Sequence, residues 1–133
     1  MKAAKALRKR GFTHTVEVRG GDHVLTADES RKDGGNDEGP SPQELLAASL
    51  ASCSAITLEM YASRKGWNIG DVTVEVHYEP AQRGSPTRFQ IAVKLPKELP
   101  EEQRERLMQI VARCPVHRTL EGEVIFDEKL ELR

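Results

Sequence analysis

Cysteine is scarce in this chain. Two residues, Cys53 and Cys114, stand in 133 positions, too few for the multi-bridge framework of a small secreted scaffold. No C-x-x-C pair is present, so the commonest zinc signature is missing. Net charge is scarce as well: 20 Lys+Arg against 21 Asp+Glu leaves −1. A chain without a basic excess has no field for tracking phosphates, which argues against a nucleic-acid binder. Long apolar runs are also missing. The longest uncharged stretch, Leu45 to Leu58, falls short of the roughly 18 residues of a membrane span. With 31% charged residues, a membrane protein is not expected. Basic residues 1–10 are followed by no apolar segment, so no secretory signal is read. Both cysteines are therefore expected as thiols in the reducing cytoplasm. Internal repeats and low-complexity segments are absent.

What is there fits one globular domain over residues 1–133. A chain of this length buries roughly two-thirds of its unfolded surface, so it needs no disulfide or metal to fold. Phe12 to Arg19 alternates as a strand, and Gly20-Gly21 is a hairpin signal before a return strand over Asp22 to Ala27. Asp28 to Pro40 holds no apolar residue and three glycines, and reads as a solvated loop. Its acidic residues lack the spacing of a calcium loop. Ser41-Pro42-Gln43-Glu44 is a capping box with proline in the first turn. It opens a helix to about Lys65, stopped by Gly66. Leu45 to Leu58 is apolar or small on every face, the pattern of a helix buried all round. A second chain is expected to help cover it. Asp71 to Glu79 and Thr87 to Leu95 alternate as a second antiparallel pair. Glu101 to Arg113 is an amphipathic helix, Pro115 to Leu120 a short one, and Glu123 to Leu132 a closing strand. The order ββ-α-ββ-α-α-β is an α+β fold.

Cys53 sits mid-helix among Ala51, Ser52 and Ser54. Cys114 sits on the inner face of the second helix, before Pro115. Each alone reads as a buried small hydrophobe. As a pair they read differently: small neighbours leave room at Cys53, and the start of the short helix favours a thiolate at Cys114. Zinc is the rival use, through Cys53, Cys114, His117 and one further histidine. His14, His23 and His77 lie in strand patterns where a half-exposed surface role is the default.

Three motifs in order resemble one known family. The run from Gly39 to Cys53, GPSPQELLAASLASC, the run from Tyr61 to Trp67, YASRKGW, and the run from Cys114 to Leu120, CPVHRTL, are similar to landmarks of the OsmC/Ohr proteins, named for osmotic induction and organic hydroperoxide resistance. The resemblance spans about Val16 to Leu130. It implies antiparallel sheets around a long buried helix in an intertwined homodimer. It also implies a Cys-based peroxidase of organic hydroperoxides, with Cys53 peroxidatic, Cys114 resolving, and a small or protein-bound dithiol as reductant. No metal, flavin or other cofactor, nucleic acid or membrane is implied. Peroxidase members pair a Glu after the helix-opening proline with an Arg of the N-terminal sheet. Here Gln43 stands at the Glu position, Arg19 is the candidate Arg, and Arg113 and Arg118 are next in line. Ten residues, about 15 Å of helix, separate Gln43 from Cys53, so a Gln43 at a reactive sulfur would meet the partner's. The alternative reading is a dimeric small-molecule-binding protein without efficient turnover, favoured by a neutral Gln43.

Overall fold

In the computed structural model, which describes residues 1–96 and 98–132, the chain runs β1 (Ala4–Arg10), β2 (Thr13–Val18), β3 (His23–Ala27), a single 3₁₀ turn (Arg31–Asp33), α1 (Pro42–Lys65), β4 (Thr73–Glu79), β5 (Arg88–Lys94), α2 (Glu101–Val111) and α3 (Pro115–Glu121). This is the expected α+β class, with two corrections to the order. A strand, β1, precedes the first expected one and pairs antiparallel with β2, Ala6 opposite Val16 and Arg8 opposite His14. Its sequence, AKALRKR, is exposed throughout and carries one large apolar residue. Hydrophobic alternation is the signal for a strand, and an exposed strand need not show it. The second correction is at the C-terminus. Residues 123–132, expected as a strand, form none among the described residues. Alternation makes a segment able to pair, but only a neighbouring strand's hydrogen bonds make it a strand.

Chain contacts divide the protein into two compact units: Met1–Ala48 with Tyr78–Arg88, and Ser49–His77 with Phe89–Arg133. The first holds the sheet β1-β2-β3. In β2–β3, Val16 faces Leu25 and Val18 faces His23. The loop over residues 28–40 is tied at both ends by one residue. Asp28 N–H donates to Pro40 O at 3.1 Å, and the buried Asp28 carboxylate, 2% exposed, takes the N–H groups of Glu29, Asn36 and Glu38. Thr13 Oγ1 lies 2.7 Å from Asp28 Oδ2 and 2.8 Å from Glu38 Oε2. One hydroxyl proton is thus shared between two carboxylates, while Arg10 pairs with Glu38.

In the second unit, Leu58, Ala62, Ile69, Leu99, Leu107, Ile110 and Val111 form the core, with Tyr61, Trp67 and Val93 packed on it. The i, i+3, i+4, i+7 stripe read from α2 is buried in full, Leu107, Ile110, Val111 and Cys114. Strands β4 and β5 form a two-stranded sheet in which half-buried and exposed positions alternate through both strands, as the sequence pattern predicts.

Candidate functional site

Helix α1 starts as the capping box requires. Ser41 N–H donates to Glu44 Oε1 at 2.9 Å, and Glu44 N–H to Ser41 Oγ at 3.1 Å. Twenty-four residues make about 36 Å of helix. Its buried stripe is Leu50, Ser54, Leu58 and Ala62, spaced by four. The expectation of burial on every face is not met within one chain: Ile56 is 54% and Met60 51% exposed. By length and composition alone α1 passes as a membrane span. Glu59 sits on its exposed surface, however, and Leu58 and Ala62 of its buried stripe belong to the core.

Cys53 precedes the buried Ser54 on α1 and is half-buried. Cys114 is fully buried between α2 and α3. The two are joined in a disulfide, with Cα atoms 5.8 Å apart across a separation of 61 residues. Pro115 opens α3, and Cys114 serves as its N-cap, its Sγ accepting the His117 N–H at 3.5 Å. The His117 ring faces Glu121 one turn on. Its Nδ1 sits against that carboxylate but off the line of a hydrogen bond. The zinc alternative gains no geometry, since no cluster of three or more His, Cys, Asp or Glu side chains suited to a metal occurs among the described residues.

Of the two other residues singled out, Gln43 is exposed in the first turn of α1. Arg19 lies in the β2–β3 turn, also exposed, with Nη2 2.6 Å from His23 Nε2. Both belong to the first unit, whereas the disulfide, Arg113 and Arg118 belong to the second. Two further features were not read from the sequence. In the first unit a groove of about 470 Å³ runs over one sheet face, lined by Ala6, Phe12, His14, Val16, Ala27 and Leu45 among others. The alternation of Phe12, His14 and Val16 was its legible signal. In the second, Tyr61 Oη accepts Arg106 Nε–H at 2.9 Å, with Lys65 and Arg106 each near the ring face and Trp67 edge-on at 5.6 Å. The Arg106 hydrogen bond holds the Tyr61 phenol below its ordinary value. No spacing rule connects residues 45 positions apart.

A family model described as OsmC-like protein matches residues 34–129. Among solved structures, a candidate osmotic stress induced and detoxification response protein from Psychrobacter arcticus superposes with a TM-score of 0.78 at 23% identity, covering 90% of this chain and 88% of that one. An organic hydroperoxide resistance protein OsmC from Legionella pneumophila gives 0.66 at 24% identity, covering 92% and 90%. The organic hydroperoxide resistance protein OhrB of Bacillus subtilis gives 0.62 at 19%, covering 92% and 91%. At these identities the likeness establishes the fold. No curated protein sequence matches the chain.

Proposed function

The chain belongs to the OsmC-like family, and we propose that it is a cytoplasmic, homodimeric thiol peroxidase that reduces organic hydroperoxides in defence against oxidative stress. The observation that carries this reading is the Cys53–Cys114 pair. Two cysteines are all the chain has, and they stand at bonding distance, Cys53 on α1 and Cys114 at the start of α3. In the proposed cycle the Cys53 thiolate attacks one oxygen of the O–O bond, leaving Cys53 as a sulfenic acid and releasing the alcohol after proton uptake. The Cys114 thiol then displaces water from the sulfenic sulfur, giving the disulfide. A small or protein-bound dithiol returns both thiols by exchange and leaves as its own disulfide. Two electrons thus pass from dithiol to peroxide. Solved structures named for organic hydroperoxide resistance support the substrate class.

The second reading, a binding protein of the same fold, is favoured by one observation. Gln43 brings no negative charge to steady a guanidinium, which leaves Cys53 less activated. A peroxide-consumption assay separates the two readings, using cumene hydroperoxide with dihydrolipoamide. Turnover in the wild-type protein, lost in Cys53→Ser and reduced with accumulated sulfenic acid in Cys114→Ser, is the expected result. No turnover above the Cys53→Ser background would leave the binding reading.

A further inference from the structure

The second unit carries a cleft in which charges of both signs stand side by side without pairing. Its first wall is the end of α1. Tyr61 and Lys65 are one helical turn apart, and Lys65 Nζ lies 5.7 Å from the Tyr61 ring centroid. The helix stops at Gly66, whose φ of +70° suits glycine. Trp67 N–H then turns back to donate to Ala62 O at 2.9 Å, which sets the Trp67 ring edge-on to Tyr61 at 5.6 Å. The second wall is α2. Glu102, Glu105, Arg106 and Gln109 are spaced i, i+3, i+4, i+7 and share one helix face. The two walls enclose a cavity of about 360 Å³, within the roughly 300–1,000 Å³ of small-molecule sites.

Arg106 is held by two neutral acceptors and not by a carboxylate. Its Nε–H donates to Tyr61 Oη and its Nη1 to Gln109 Oε1, each at 2.9 Å. A guanidinium has five N–H donors, so most of them remain for a ligand. No ion pair among the described residues includes Lys65, Glu102, Glu105 or Arg106. The bond to Gln109 draws the guanidinium towards the end of α2, whereas Glu102 lies one turn before Arg106, about 6 Å along the helix. Two cations and two carboxylates line the same space, so an ion of one sign is attracted by one pair and repelled by the other. A zwitterion is attracted by both. We infer that this cleft binds a free α-amino acid with an apolar or aromatic side chain. The α-carboxylate meets Arg106 and Lys65 through charge-assisted hydrogen bonds, the α-ammonium meets Glu102 and Glu105, and the side chain lies against Trp67. The site uses neither cysteine and does not depend on the peroxidase reading.

Trp67 is the chain's only tryptophan, so its fluorescence reports on the cleft directly. L-phenylalanine titrated into the full chain is expected to change Trp67 emission saturably, with a dissociation constant below about 1 mM. L-phenylalaninamide lacks the carboxylate and N-acetyl-L-phenylalanine lacks the ammonium. Each should bind about tenfold more weakly or worse, the loss of one charge-assisted contact. Glycine, with no side chain to lay on Trp67, should also bind more weakly. Two variants, followed by calorimetry, locate the site. Arg106→Leu should weaken binding of L-phenylalanine about tenfold. The double variant Glu102→Gln with Glu105→Gln should do the same, and it alters only exposed side chains, so the fold is kept. No saturable response to L-phenylalanine at about 10 mM, a level well above the expected constant, overturns the inference. Equal binding of the N-acetyl compound would make the site one for anions, and equal binding of the amide one for cations; either result overturns the zwitterion. Binding as tight by glycine overturns the side-chain contact, and binding undiminished in either variant overturns the cleft as its place.

Discussion

At the scale of single residues, the helix that carries Cys53 also carries an unsatisfied hydroxyl. Ser54 is fully buried, and its Oγ has no hydrogen-bond partner among the described residues. A buried hydroxyl without a partner costs about 1–3 kcal/mol. Removing it relieves that cost and leaves a space of one oxygen. Ser54→Ala is therefore expected to raise stability by about 1 kcal/mol, read as a higher urea midpoint at unchanged slope. A lower midpoint would show that the hydroxyl is satisfied in solution. Tyr61 offers a second residue-scale test. Arg106 donates to its phenol oxygen and, with Lys65 and Arg113, favours the phenolate. A titration followed at the phenolate absorbance should show one of the two tyrosines ionising below the ordinary 10.0, and Arg106→Leu should return it upward.

At the scale of elements, the loop over residues 28–40 depends on one buried carboxylate and two close approaches. A Cβ at Gly35 would stand 2.0 Å from Glu29 O, and one at Gly39 would stand 2.4 Å from Thr26 O. Both obstacles are backbone, so neither gives way cheaply. Gly35→Ala and Gly39→Ala should each lower Tm sharply, whereas Gly84→Ala, with open space around it but φ +85°, should show only the strain of its backbone. The loop is also predicted to be acid-labile. The Asp28 carboxyl is held below its ordinary 3.8, chiefly by the Thr13 hydroxyl and then by backbone N–H groups. Glu38 is held below 4.5, chiefly by Arg10 and then by Thr13. A depressed folded value stabilises the fold above the unfolded value. That stabilisation begins to be lost where the unfolded carboxyls take up protons, between about pH 4.5 and 3.8, and is gone once the pH passes below the folded values. Stability measured by urea unfolding should fall steeply below pH 4, and Asp28→Asn should flatten that slope while lowering stability at pH 7. An equally steep slope in Asp28→Asn would assign the acid sensitivity elsewhere. At the next element, Ser41→Ala removes half of the reciprocal cap on α1 and should cost about 1 kcal/mol.

At the scale of the whole molecule, the apolar surface left open points to the proposed second chain. Ile56 and Met60 on α1 are exposed, and so are Val124, Phe126, Leu130 and Leu132 beyond α3. Exposed apolar side chains in such number are what an interface with another chain would cover. If a second copy covers it, light scattering at micromolar protein should return twice 14.9 kDa, and the unfolding midpoint should rise with concentration. Truncation after Gly122 should then weaken the assembly. A folded species of 14.9 kDa with a concentration-independent midpoint would remove the homodimer from the proposal.

The local signals were legible because they act over a few residues. The capping box at Ser41 and Glu44, the Gly20-Gly21 turn, the alternation of β4 and β5 and the buried stripe ending at Cys114 each follow from helix or strand periodicity and backbone freedom. The sequence determined by itself that the α+β elements exist and that the chain holds one pair of cysteines. Tertiary structure alone decided what lies between distant residues. It set the 5.8 Å between the Cys53 and Cys114 Cα atoms, the sharing of the Thr13 proton by Asp28 and Glu38, and the Tyr61–Arg106 bond. It also decided which alternating segment becomes a strand. The basic run of β1 found a partner in β2, and the better-patterned residues 123–132 found none within the described chain. The physical reason is that periodicity fixes only which face a side chain takes, whereas pairing and bonding depend on what the rest of the chain brings opposite.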